Sequence, residues 1–117
     1  MKESAFWNSL RKSWKGKGLF QRVENTTSSG VPDLFCCVQG KSFWIELKSH
    51  GKNGNIKLKG YQKAWRDNLI KHGGTHFTIT RDLKGIHVET KGEIKYIDGN
   101  EKHKNNKLLE LILEEIN

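Results

Sequence analysis

The chain has 117 residues, room for one domain of the usual ~100–150 and too little for a second core. Its hydrophobic fraction of 34% rises to about 44% when the 12 glycines are added, which allows a packed core and argues against wholesale disorder. Lys and Arg outnumber Asp and Glu by 21 to 13, giving a formal charge of +8, which suits a nucleic-acid partner and equally a lysine-solubilised surface. Cys36 and Cys37 are neighbours and point to opposite faces of a strand, so they form neither a disulfide framework nor a chelating pair and read as small core residues in a reducing compartment. The amino terminus has an early acid and no apolar run of signal-peptide length. No stretch reaches the ~18 apolar residues of a membrane span, so a soluble cytoplasmic protein with no membrane partner is expected.

Phe6, Trp7, Leu10 and Trp14 recur at helical spacing and predict a helix over Lys2 to Trp14, ended by Gly16 and Gly18. Leu19 to Glu24 alternates as a strand, Asn25 to Gly30 is a Thr/Ser/Gly loop, and Pro32 leads into the next strand in extended form. Leu34 to Val38 and Ser42 to Leu47 predict a hairpin around Gln39-Gly40. One hairpin face carries Leu34, Cys36, Val38, Phe43, Ile45 and Leu47, the other Phe35, Cys37 and Trp44, so both faces should be covered. Ser49 to Gly60 is a Gly/Asn/Lys loop. Tyr61, Ala64, Trp65, Leu69 and Ile70 mark a helix ending at Gly73-Gly74, and Phe77 and Ile79 mark a further strand. Ile86 to Thr90 and Glu93 to Tyr96 predict a second hairpin around Lys91-Gly92, and Lys107 to Ile116 a closing helix.

Counting back from the first turn pairs Phe35 with Trp44, Leu34 with Ile45 and Asp33 with Glu46, so two carboxylates face each other across the hairpin. Directly opposed residues have Cβ atoms about 4.5–5.5 Å apart, and like charges there are destabilising unless something positive sits between them. Lys48 lies two residues beyond Glu46 and so shares its face, while Leu47 points the other way. Two hard oxygen ligands with open positions suit Mg²⁺, which can polarise a phosphodiester and activate water. The plainer alternative, a turn-capping Asp33 and a surface Glu46–Lys48 pair, explains each residue singly but not the three together. The five histidines show no helical metal-ligand spacing, which disfavours zinc.

The stretch Gly30-Val31-Pro32-Asp33 through Ile45-Glu46-Leu47-Lys48 resembles the PD-(D/E)XK nuclease superfamily. Together with Arg22-Val23-Glu24-Asn25, Ser29-Gly30 and Gln62, it is similar to the VRR-NUC family, in particular its stand-alone phage and bacterial members, which resemble Holliday-junction resolvases. The resemblance covers roughly Glu3 to Thr80. It implies a single restriction-endonuclease-like α/β domain over residues 1–117, with a central mixed sheet of about four or five strands flanked by helices. It implies an Mg²⁺-dependent endonuclease for branched DNA (Mn²⁺ substituting), acting without a small-molecule cofactor in a bacterial or phage-infected cell. Asp33, Glu46 and the Leu47 carbonyl would hold the metal, and Lys48 would position or activate water. Glu3 would add a metal ligand, with first-turn capping as its equal alternative. Gln62 would reach the site from its helix, or else be a solvated helix residue.

Two basic clusters are candidates for DNA contact. Arg11, Lys12, Lys15 and Lys17 end the first helix, and Lys52, Lys57, Lys59, Lys63 and Arg66 follow the Glu-Leu-Lys strand. Arg22 and Ser29 join them through the resemblance. Two symmetric cuts in a junction would need two sites, so a homodimer is expected. Leu108, Leu109, Leu111, Ile112, Leu113 and Ile116 offer either its interface or a helix wedged into its own core. The rival readings are a non-catalytic DNA-binding protein of the same fold and a sequence-specific restriction-type enzyme.

Overall fold

The computed structural model describes residues 3–24, 30–49 and 58–117, Glu3 and Ser4 by their backbone alone. Elements follow in the order α1 (Glu3–Ser13), β1 (Leu19–Arg22), β2 (Leu34–Val38), β3 (Lys41–Ser49), α2 (Gly60–Lys71), β4 (His76–Arg81), β5 (Ile86–Thr90), β6 (Glu93–Ile97) and α3 (Glu101–Ile116). The strands form one six-stranded sheet in sequence order, antiparallel except for the parallel pair β3–β4, whose crossover is α2. This is the expected mixed sheet with one or two strands more. The edge strands β1 and β6 are largely exposed, so their residues carry little of the apolar signal that would mark them as part of a central sheet.

The first hairpin has the counted register, with Phe35 opposite Trp44 and Leu34 opposite Ile45. Gln39 and Gly40 both take positive φ (54° and 79°), as do Lys91 and Gly92 (53° and 79°), which is the twist a two-residue hairpin turn requires. Phe43, Ile45 and Leu47 are at most 1% exposed and join Phe6 and Leu10 of α1, Trp14 just after it, and Leu108, Leu109 and Ile112 of α3 in one core. Trp44, Glu46 and Lys48 face the other way, toward α2, where Trp44 and Trp65 meet edge to face at 5.2 Å.

Helix α3 begins at Glu101, about two turns before the expected Lys107. The first turns are polar and lack an apolar stripe, but Asn100 caps them by accepting from the His103 N–H at 2.8 Å. The helix lies against its own domain: Leu111, Leu113 and Ile116 pack on the core that Leu108, Leu109 and Ile112 enter, so its broad apolar surface is used internally. Asn105 locks it to α1, its carbonyl accepting from Trp14 Nε1 and its amide donating to Ser9 and Ser13. Among the described residues no helix is long and apolar enough to cross a membrane.

Candidate active site

Asp33 sits at the mouth of β2, one step beyond the Leu34–Ile45 pair. Its approach is fixed by buried Pro32 and by Gly30, whose φ of +89° and whose hydrogen, where a Cβ would lie 2.3 Å from the Tyr61 carbonyl oxygen, let the chain cross the start of α2. The Asp33 carbonyl accepts from Val23 N–H at 2.8 Å, extending the β1–β2 ladder past its last paired strand residue. Asp33 Oδ2 accepts from the Leu47 N–H at 2.8 Å. A strand residue points its N–H and C=O to the same edge, so the Leu47 carbonyl faces Asp33 as well, while its side chain is fully buried in the opposite face.

Glu46 is 5% exposed, and its carboxyl group is in hydrogen-bonding contact with that of Asp33. Burial raises the Asp33 carboxyl above its ordinary value of 3.8, against the lowering effects of the Leu47 N–H, Arg22, Lys48 and Glu46. The two acids therefore share one partly desolvated position, which a divalent cation would relieve.

Gln62 joins the site to α2. Its Nε2 donates to Glu46 Oε1 at 2.9 Å, and its Oε1 accepts from Lys48 Nζ at 2.9 Å and from the Lys59 N–H at 2.9 Å. The last bond is the N3-to-N-cap arm of a capping box, so one side chain both starts the helix and orients the acid and the lysine. Gln62 is thus half-buried and bonded to both Glu46 and Lys48. Arg22, at the end of β1, contributes positive potential at Asp33.

The basic residues divide. Arg11, Lys12, Lys15 and Lys17 are exposed on and just after α1, across the sheet from Glu46 and Lys48, and Lys17 Nζ donates to Asn106 of α3. Lys59 and Lys63 stand exposed at the start of α2, beside the site, with Lys59 Nζ 5.9 Å from the Tyr61 ring centre. Ser29, Lys52, Lys57, Asn25 and the Glu3 side chain lie outside the described residues. Among those described, no group of three or more His, Cys, Asp or Glu side chains is assembled, so two carboxylates and one backbone carbonyl are the described donors. That hard, all-oxygen set fits Mg²⁺, which keeps several of its waters.

Sequence reasoning did not single out Thr78 and Thr80 of β4, which pair with Glu46 and Lys48. Their own strand carries no sign of this, because a parallel partner is set by the crossover and not by a local turn. His87, which read as a solvated or core-edge residue, stands opposite Thr80 and bonds Asp82 Oδ2 through Nε2 at 2.8 Å.

No protein-family model matches the sequence, and no curated protein matches it by sequence. Solved structures do match by shape. One, described as a VRR_NUC domain, is 19% identical with a TM-score of 0.60, covering 92% of this chain and 94% of that one. Another is Hjc of Archaeoglobus fulgidus, a Holliday junction resolvase from an archaeal hyperthermophile, 14% identical with a TM-score of 0.55, covering 88% of this chain and 98% of that one. The likeness spans about nine-tenths of this chain and nearly the whole of the other two. The chain therefore has the restriction-endonuclease-like fold, a mixed sheet flanked by helices, that it shares with a VRR_NUC domain and an archaeal junction resolvase.

Proposed function

We propose that the protein is an Mg²⁺-dependent endonuclease that hydrolyses phosphodiester bonds in branched DNA, working as a homodimer. The observation that carries this reading is the convergence of Asp33, Glu46 and Lys48 on one side of the sheet, with Gln62 bonded to Glu46 and Lys48 and the Leu47 N–H holding Asp33. The two structural neighbours described as a nuclease-type domain and a junction resolvase support it at the level of fold.

Asp33, Glu46 and the Leu47 carbonyl are the residues that would hold the metal, which supplies charge neutralisation at the scissile phosphate and a more acidic water. Asp33 is oriented by the Leu47 N–H and Glu46 by the Gln62 amide, so neither must reorganise when a cation arrives. Lys48 keeps its ammonium beside them through the Gln62 carbonyl and is placed to orient the attacking water and to offset negative charge developing on the phosphate. The water oxygen gives up a proton to solvent and bonds to phosphorus as the bond to the leaving sugar oxygen breaks, and that oxygen takes a proton from solvent. One domain with one such site makes one cut, so paired cuts in a junction call for two copies.

The test incubates the protein with Mg²⁺ or with EDTA against four-way junction, flap, single-stranded and linear duplex DNA. Cleavage should need the metal and favour the junction. Glu46→Gln and Lys48→Ala should each abolish it while leaving a folded, DNA-binding protein. Near-normal turnover in either variant refutes the assignment. Binding without cleavage would identify a non-catalytic relative, and discrete fragments from plain duplex a restriction-type enzyme.

A further inference from the structure

Beside the acid–lysine site a groove of about 500 Å³ runs between α2 and the uncovered face of β4–β6. Register ties it to the site: Thr78 and Thr80 on its floor pair with Glu46 and Lys48, and His87 and Glu89 lie one strand further out. Strands are about 4.8 Å apart, so the groove starts within about 5 Å of the Glu46 row and extends roughly 10 Å beyond it. Its helical wall carries Lys63 and Arg66, one and four residues after Gln62.

Three features give the groove a chemical character. Thr78 is 7% exposed, and its buried hydroxyl has no hydrogen-bond partner among the described residues, an arrangement that a ligand polar group would satisfy. The anionic Glu89 is engaged by Arg66 at 3.3 Å, which leaves Lys63 as the unopposed charge among the described residues of the wall. The outer rim is apolar and aromatic: Ile94 is 65% exposed, and the His87 ring, anchored on Asp82, meets half-exposed Tyr96 of the next strand in a tilted contact at 4.8 Å between ring centres. An unopposed ammonium, a buried hydroxyl and an apolar rim suit a nucleoside phosphate better than a bare phosphate. The volume is that of a small-molecule site and not of a duplex.

Resting on the nuclease reading, we infer that this groove receives one unpaired nucleotide of the substrate strand next to the scissile phosphate. Its base lies over Ile94 and the His87–Tyr96 rings, and its phosphate faces Lys63. Base stacking on such a rim is sequence-tolerant, so the groove selects for a nucleotide freed from pairing and not for a particular base. Substrates would then be DNAs that present an unpaired nucleotide at the cut, as flaps and bulges do, or whose branch point opens to release one.

The test titrates the full chain in EDTA with thymidine 5′-monophosphate, with thymidine and inorganic phosphate as separate arms, following amide chemical shifts. The nucleotide should shift Thr78, Thr80, His87 and Ile94 and bind at least roughly fivefold more tightly than phosphate. The near-isosteric Thr78→Val and the exposed Ile94→Ser should each weaken it roughly threefold or more with the rest of the spectrum intact. Phosphate binding equally well with the same shifts, shifts confined to other surfaces, or unchanged affinity in both variants overturns the proposal. A second arm compares metal-free Glu46→Gln protein on a duplex with one bulged nucleotide and on the paired duplex. The expected preference for the bulge should vanish in the Glu46→Gln, Ile94→Ser double variant, and equal affinities overturn the proposal. Absence of metal-dependent cleavage would sink the nuclease reading alone, because every arm here is read without turnover.

Discussion

Truncating Gln62 to alanine removes three hydrogen bonds at once, to Glu46, Lys48 and the Lys59 N–H. The capping bond contributes about 1 kcal/mol. Bonds to charged groups contribute ~1.5–3 kcal/mol each, but Lys48 is only half-buried and water replaces part of what it loses, so about 1–2 kcal/mol is the net for both. The sum is about 2–3 kcal/mol. With an unfolding entropy of ~2.1 cal/mol/K per residue over 117 residues, each kcal/mol moves Tm by about 4 °C, and a fall of about 8–12 °C is expected in EDTA. Activity should fall further than stability suggests, because Lys48 loses the group that aims it: kcat on a junction should drop roughly 10–100-fold with KM little changed. Gln62→Glu separates the roles. It keeps an acceptor for Lys48 and Lys59 but replaces the donor to Glu46 with a third carboxylate, so the metal-free protein should be less stable and gain more from Mg²⁺ than the wild type does. Thermal melts with and without Mg²⁺, alongside single-turnover cleavage, measure both. If Gln62→Ala melts within about 2 °C of wild type and turns over within roughly twofold, Gln62 does not organise the site.

His76 is 3% exposed, and burial, aided by Arg66, lowers its pKa from 6.5 to about 4, so the folded state holds it neutral where the unfolded chain protonates it. Its contribution is complete above pH 6.5 and is lost as pH falls toward 4, by about 3 kcal/mol in all; His76→Phe should flatten that part of the stability–pH curve, read by urea unfolding across the range. Gly30→Ala should cost about 2 kcal/mol or more and lower activity together with stability, since the new methyl meets the Tyr61 carbonyl at a positive-φ position; a melt unchanged from wild type would contradict that contact. DNA binding should weaken steeply with salt, and Lys59→Ala with Lys63→Ala should reduce the log–log slope by up to about two units, whereas an unchanged slope moves the DNA path elsewhere. Truncation after Asn105 removes Leu108, Leu109 and Ile112 and should unfold the domain rather than release folded monomers, checked by circular dichroism. Sedimentation of the intact protein with and without junction DNA measures the dimer, and a monomer that still makes paired cuts would refute it.

The local part of this protein is legible in its residues. Turn dipeptides Gln39-Gly40 and Lys91-Gly92 set hairpin registers without outside help, and the first register places Asp33 one step from Glu46 while the period of two aligns Lys48 with it and sends Leu47 into the core. Apolar spacing marks α1, α2 and the carboxyl-terminal part of α3 for the same reason: a helix or strand that buries one face must repeat its apolar residues at its own period. Tertiary structure decided what no local period encodes. The parallel pairing of β3 with β4 brings Thr78, Thr80 and then His87 alongside the site from more than thirty residues away in sequence. Packing, not spacing, separated the Arg11–Lys17 cluster from the site by a whole sheet and placed Gln62 between Glu46 and Lys48. It also resolved the two uses open to the last helix. An apolar surface is equally content against a second copy or against its own sheet, and only the position of α1, with Trp14 donating to the Asn105 carbonyl, turns α3 inward.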